Sequence, residues 1–230
     1  MVGVLGGMGP AATADFYAKL VRHTPAQRDQ DHLRVVIWAD PSVPNRQEAL
    51  LAGGTDPTPW LEVGVRGLVD AGAEIVVVPC NTVHAHLRPV MADVPVEFID
   101  IIDTTVQAAQ RRAGTRVGLL ATDGALASRL FQDAFAAHEI ECVLPSQAHQ
   151  QSVMELVMAV KTGRVGDRAR TLMRGLLAEL LALGTTTVVA GCTEISALLD
   201  GLPSTDEVDV IDPATELALR TIERARLSRS

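Results

Sequence analysis

Two short stretches of the chain carry residue types suited to moving a proton at carbon. Cys80 is followed by Asn81 and Thr82, and Cys192 by Thr193 and Glu194. Each cysteine comes at the end of an apolar, β-branched run: Glu74–Pro79 in the first case, and Thr186–Ala190 followed by Gly191 in the second. A helix-compatible stretch follows each. Doubly wound α/β folds place ligands at the carboxyl ends of strands. A cysteine at a helix start has its thiolate favoured by the helix dipole and by the first backbone N–H groups. Those groups, with Asn81, Thr82 and Thr193, can hold a carboxylate. Two thiols on opposite faces of a carbon can invert it, one taking a proton and the other returning one. A reference pKa near 8.5 allows thiol and thiolate to coexist after modest tuning. Taken singly, each cysteine reads first as a buried apolar residue, and that is the reading kept for Cys142, which lies inside an apparent strand. His84 and His86 are two apart and no Cys-x-x-Cys occurs, so no metal centre is expected.

The elements that must position these residues alternate along the chain. Strands are expected at Met1–Leu5, Arg34–Ala39, Glu74–Pro79, Arg116–Ala121 and Thr186–Ala190, with weaker ones at Val96–Ile99, Glu141–Leu144 and Val208–Ile211. Helices are expected at 11–23, 59–71, 104–113, 124–138, 151–162 and 167–183. Alternation of this kind indicates an α/β fold with parallel strands. Continuous apolar strands indicate sheets covered on both faces.

The chain also repeats itself. Val2-Gly3-Val4-Leu5-Gly6 resembles Val117-Gly118-Leu119-Leu120-Ala121 at an offset of 115 residues, and the two Cys turns recur at an offset of 112. This predicts two similar α/β lobes, each with a mostly parallel sheet flanked by helices, and an active site in the cleft between them.

Composition limits the partners. The chain has 230 residues, 47% hydrophobic and 21% charged, with a net charge of −8, so it folds around a core and does not suit nucleic acid. Aromatic residues make up only 3%, too few for base-stacking platforms. No apolar run is long enough to span a bilayer. Three cysteines and no visible signal peptide indicate a reducing, cytoplasmic setting. Of the 20 Lys and Arg residues only Lys19 and Lys161 are lysine. In a chain that prefers arginine, a lysine can be kept for its compact charge.

Gly6-Gly7-Met8-Gly9-Pro10-Ala11-Ala12-Thr13, Pro79-Cys80-Asn81-Thr82-Val83-His84 and Gly191-Cys192-Thr193-Glu194 together resemble the signatures of the aspartate/glutamate racemase family. Pro44-Asn45-Arg46, Asp56-Pro57, Val160-Lys161-Thr162-Gly163 and Val210-Ile211-Asp212-Pro213 extend the likeness over essentially the whole chain. The resemblance implies a cofactor-independent racemase acting on aspartate or a similar amino acid, and a homodimer. It implies a first lobe of residues 1–99 with 212–230 returning to it, and a second lobe of 100–211. By motif, Cys80 and Cys192 become the acid/base pair. Met8, Asn81, Thr82, Thr122, Thr193 and Glu194 become substrate-binding residues. Arg46, in a polar loop, and Lys161 become readers of the distal carboxylate. Cys192 would act on the L-enantiomer and Cys80 on the D-enantiomer. His84 either orients Cys80 or is structural, and Glu194 either tunes Cys192 or caps a helix. Two departures leave the substrate side chain open: Asn45-Arg46-Gln47 replaces the usual Asp-Arg-Thr, and Gly124-Ala125 replaces a Gly-Thr pair.

Other readings compete. Gly7-Met8-Gly9-Pro10-Ala11-Ala12 fits a dinucleotide-binding turn, with Asp40 ending the second strand. A two-lobed binding protein without chemistry is another. A cis–trans isomerase or decarboxylase of a dicarboxylic acid, or a glutamate or broad-specificity racemase, would use the same turns.

Overall fold

The structure, a computed structural model, describes residues 1–112, 114–200 and 208–227, with only the backbone considered at Asp200. The chain divides into two compact units. One holds Met1–Thr104 and the chain from Ala214 onward, the other Thr105–Pro213.

The first unit is built on β1 (Val2–Gly6), β2 (Val35–Ala39), β3 (Ile75–Val77) and β4 (Glu97–Ile99), in the order β2-β1-β3-β4, every pair parallel. Its helices are α1 (Pro10–His23), α2 (Arg46–Leu51), α3 (Thr58–Asp70) and α4 (His84–Met91). Helix α5 (Ile101–Arg112) leads into the second unit. That unit has β5 (Arg116–Leu120), β6 (Glu141–Val143), β7 (Thr187–Ala190) and β8 (Asp209–Ile211), also all parallel, in the order β6-β5-β7-β8. Its helices are α6 (Asp123–Ala127), α7 (Leu130–Ala136), α8 (Gln147–Lys161), α9 (Asp167–Ala182) and α10 (Thr193–Asp200). The final helix, α11 (Pro213–Leu227), meets the first unit through an Arg224–Glu97 ion pair at 2.6 Å and a bond from Arg226 to the Pro25 carbonyl. The internal repeat is therefore a repeat of topology: both sheets have the same strand order.

That order places the topological switch between the two central strands, β1 and β3 in one sheet, β5 and β7 in the other. β1, β3 and β7 are buried throughout, and β5 is buried after Arg116. Leu5, Leu61, Val65, Leu68, Val76 and Leu87 pack the first core, and Leu120, Val153, Leu156, Met173, Leu176 and Val188 the second.

Three expectations need correction. The apolar run at Val35–Ala39 is an edge strand, and Ile37, Trp38 and Ala39 are exposed. Apolar content reported the strand but not its place in the sheet. The stretch 124–138 is two helices, because Arg129 takes a left-handed conformation at φ 56° while Ser128 and Gln132 bond the carbonyls of Ala125 and Leu126. Helix α5 begins at Ile101 instead of Thr104, with Asp100 Oδ1 accepting from Ile102 N at 2.7 Å.

The Gly6-Gly7 turn after β1 works by close approach. Gly7 has φ +90°, and a Cβ there would lie 2.3 Å from Asp40 N. Thr13 of α1 accepts from Gly7 N at 2.9 Å and donates to Gly9 O at 3.1 Å, which pins the turn to the helix. Gly9 has open space around its Cβ position. Gly7→Ala should therefore cost more than about 1 kcal/mol, a fall in Tm of at least ~2–4 °C for a chain of this size. Gly9→Ala should move Tm by less than half as much. Thermal unfolding followed by circular dichroism checks both, and equal shifts would contradict the assignment.

Candidate active site

In the first unit the chain leaves β3 through an inverse γ-turn, with Cys80 N bonding Val78 O at 2.9 Å across Pro79. Residues 81–83 form a turn before α4 starts at His84, so Cys80 is half-buried and lies outside the helix. The expectation that Cys80 sits at a helix start is corrected: a three-residue turn separates it from the dipole. Cys80 packs against a core cluster that contains Met8, and Asn81 is buried. The turn after β1 and the turn after β3 thus meet at the sheet's switch point.

Arg46 is the first residue of α2 and does not lie in a loop. Asn45 caps that helix by accepting from Gln47 N at 3.0 Å. Its guanidinium is aimed at backbone carbonyls: Val43 at 3.2 Å, Pro44 at 3.0 Å and Met8 at 3.1 Å. A guanidinium has about five N–H donors. Nε–H and one Nη2–H lie outside these three bonds. Arg46 therefore ties the Met8 turn to α2, and two of its donors are not used in doing so.

In the second unit Cys192 directly precedes α10, and its carbonyl accepts from Ile195 N and Ser196 N at 3.0 and 3.1 Å. Its thiol donates to Glu194 Oε2 at 2.8 Å, and the Thr193 hydroxyl donates to the same oxygen at 3.1 Å. Lys161, at the end of α8, lies 3.9 Å from the other Glu194 oxygen and is about half exposed. Thr122, at the end of β5, is the N-cap of α6, accepting from Ala125 N at 3.3 Å. Gln150 was not singled out by the sequence, yet it bonds Ala121 O at 3.0 Å and Asp123 Oδ1 at 2.8 Å, fixing the turn that carries Thr122. No local pattern announces it, because its partners lie 27 and 29 residues away.

The electrostatics of Cys192 overturn the expectation of a dipole-favoured thiolate. Burial and then the Glu194 carboxylate push the thiol well above its ordinary range, more than Lys161 and the backbone lower it. The thiol form of Cys192 is therefore the favoured one. Burial also pushes Cys142 up to about 12, consistent with a packing role. The three cysteines are unpaired. Among the described residues no group of three or more His, Cys, Asp and Glu side chains is placed to hold a metal ion, and no helix is long and apolar enough to cross a membrane.

The dinucleotide reading fits poorly. Gly7 is needed for its close packing on the Asp40 backbone, where a Cβ would not fit. The Asp40 carboxylate, which would bind the ribose, accepts from Ser42 N and Oγ at 2.8 and 2.6 Å.

Alkylation tests the surroundings of Cys142 and Cys192. At pH 8.5 a thiol titrating near 12 is about 0.03% thiolate, so Cys142 should stay unlabelled by iodoacetamide in the folded protein. Glu194→Gln removes a negative charge beside Cys192 while keeping an acceptor for the thiol, so labelling of Cys192 should speed up by about tenfold. Peptide mass spectrometry of timed reactions reads both, and an unchanged Cys192 rate would remove Glu194 from its role.

Comparisons with known proteins identify the family. Residues 5–221 match the Asp/Glu/Hydantoin racemase family. The broad specificity amino-acid racemase RacX of Bacillus subtilis (strain 168) is 25% identical over 226 residues, covering 96% of each chain. A glutamate racemase of Roseiflexus sp. (strain RS-1) is 30% identical over 168 residues, 68% of this chain and 58% of that one. The aspartate racemase of Picrophilus torridus superposes with a TM-score of 0.82 at 28% identity, covering 98% of this chain and 94% of that one. A putative Asp/Glu racemase from Yersinia pestis shares the fold, with a TM-score of 0.83 at 23% identity and 98% coverage of both chains. The family match spans both Cys turns and nearly all of both units, so this chain belongs to the Asp/Glu/hydantoin racemase family, and its chemistry is that of an isomerase.

Proposed function

We propose that the protein is a cofactor-independent aspartate racemase in which Cys80 and Cys192 are the acid/base pair. One observation carries the reading: the Cys192 thiol at the head of α10 is held on the Glu194 carboxylate, while the matching strand end of the other sheet presents Cys80. A thiolate removes the α-proton, the electron pair delocalises into the carboxylate, and the other thiol delivers its proton to the opposite face of the carbon. The thiolate and thiol thereby exchange roles, and no oxidant or reductant is consumed. Burial and the Glu194 carboxylate favour the thiol form of Cys192, which suits it to protonate from that side. In the reverse direction Glu194 is the acceptor within hydrogen-bond reach of the thiol proton.

Substrate recognition follows from the cations and the capping groups. The remaining Arg46 donors and Lys161 are assigned to the distal carboxylate, and Met8, Asn81, Thr82, Thr122 and Thr193 to the α-carboxylate and ammonium. The aspartate racemase of Picrophilus torridus supports this substrate. A broad-specificity racemase is the second reading. It is favoured by the carbonyl bonds that occupy Arg46, by the pairing of Lys161 with Glu194, and by the full-length likeness to RacX. The proposal includes a homodimer, supported by the exposed Ile37 and Trp38 on the β2 edge, and a cytoplasmic location, supported by three unpaired cysteines.

Chiral analysis of L-aspartate incubated with the protein and reductant, without added cofactor, tests the core claim, with conversion to the D-enantiomer expected. Cys80→Ser and Cys192→Ser should each lower inversion by orders of magnitude in both directions. In deuterated water each should still exchange the α-proton of one enantiomer with retained configuration. Near wild-type inversion in either variant would end the two-thiol mechanism.

Lys161→Ala separates the two substrate readings. Loss of a charge-assisted hydrogen bond costs roughly 1.5–3 kcal/mol, about ten- to a hundredfold. That loss is expected in kcat/KM for aspartate but not for alanine. Equal losses would point to the broad-specificity reading.

A further inference from the structure

The two cysteine turns follow equivalent strands, yet their carbonyls are satisfied differently. The Cys192 carbonyl is capped by backbone N–H groups of α10. The Cys80 carbonyl has no backbone donor among the described residues. His84 N, which would bond it in a continuous helix, goes to Asn81 O at 3.2 Å. The donor to Cys80 O is the His84 ring, with Nδ1 at 2.8 Å. A carbonyl oxygen only accepts, so Nδ1 bears the proton.

The ring is held on every side. It is 0% exposed and stacks on Phe98 at a centroid distance of 5.8 Å and 23° between planes. Nε2 is buried, makes no hydrogen bond, and lies 3.9 Å from Asp100 Oδ1. Asp100 is itself fixed by Arg88 Nε at 2.7 Å and by Ile102 N at 2.7 Å, and Arg88 also reaches Asp103 at 3.1 Å. Burial lowers the proton affinity of His84 more than Asp100 raises it, so the ring is neutral. A neutral ring with Nδ1–H is a fixed tautomer held by a rigid frame.

We propose that His84 is a positioning residue for Cys80. Its Nδ1–H clamps the Cys80 carbonyl, sets the plane of the planar 80–81 peptide, and so aims the Cys80 thiol where the substrate's α-carbon must be met. This rests on the acid/base role proposed above for Cys80. It accounts for a buried histidine whose ring, among the described residues, makes its one hydrogen bond to the backbone of the thiol-bearing residue. It also gives the carbonyl of a cysteine outside any helix a fixed donor.

The test uses the full-length protein and two kinds of variant. His84→Leu removes the donor, and His84→Asn puts an amide N–H where Nδ1 was. His84→Leu should lower kcat for racemisation about ten- to a hundredfold, the scale of a small misplacement of a reacting group, with KM within about twofold. In a Cys192→Ser background, where Cys80 alone exchanges the substrate α-proton, His84→Leu should reduce that exchange by the same factor. In a Cys80→Ser background exchange should stay within about twofold. His84→Asn should restore most of the loss. Equal loss of both exchange reactions, or no rescue by asparagine, would make His84 a structural residue and overturn the proposal. Absence of exchange in both cysteine backgrounds would instead strike at the two-thiol reading. A measurement on the wild-type protein is independent of activity: ¹⁵N NMR of the imidazole should show His84 protonated at Nδ1 and unprotonated at Nε2 at pH 7. An Nε2–H tautomer would refute the clamp whatever the kinetics show.

Discussion

Parallel pairing of the two central strands, β1 with β3 and β5 with β7, is the constraint on which the rest depends. Parallel neighbours need crossover helices, and helices on both faces require buried, apolar strands. Each central strand therefore ends by releasing its chain at the same edge of its sheet. The Gly6-Gly7-Met8 turn and the Cys80 turn are neighbours for this reason, as are the Thr122 turn and the Cys192 turn. The strand order reverses direction there, the point at which open α/β sheets collect polar groups and bind ligands.

The two thiols are not copies in their surroundings. Cys192 heads a helix but shares its proton with a carboxylate inside a buried setting, so the charged form is disfavoured despite the dipole. Desolvation outweighs a terminal dipole because the dipole is worth only about 0.3–1 kcal/mol near a surface, whereas full burial of a charge can shift a pKa by about 3–5 units. Cys80 stands beyond a γ-turn and is steadied by an imidazole. A reaction that sends a proton in at one face and out at the other does not need symmetric environments, only that one thiol can be charged while its opposite is not.

The charged residues show a similar economy. Arg46 spends three bonds on backbone carbonyls, so its cation is placed by the turn it also holds in place. Lys161 and Cys192 contend for one carboxylate, which links the group assigned to the distal end of the substrate with the group assigned to its α-carbon. A change at Glu194 is therefore felt at both. Gln150 and His84 contribute through the backbone, each fixing a turn that carries a candidate site residue.

Much of this was legible in the chain before any coordinates. Apolar runs and helical spacing report element type because they depend on local burial, and the repeat of glycine strand and Cys turn reported two sheets of like order. The cysteines themselves were visible because strand ends are marked by the residues around them. Tertiary structure alone decided the rest. It put Val35–Ala39 at an edge, since an apolar run looks the same with one neighbour or two. It began α2 at Arg46 and turned the guanidinium toward Met8, 38 residues away. It set Glu194 between Cys192 and Lys161, and so made a thiol where the helix start alone predicted a thiolate. It turned the His84 ring onto the Cys80 carbonyl by stacking it on Phe98. The physical reason is common to all four. Secondary structure follows from the period of neighbours along the chain, whereas charge state and side-chain direction follow from groups that only folding brings within a few ångströms.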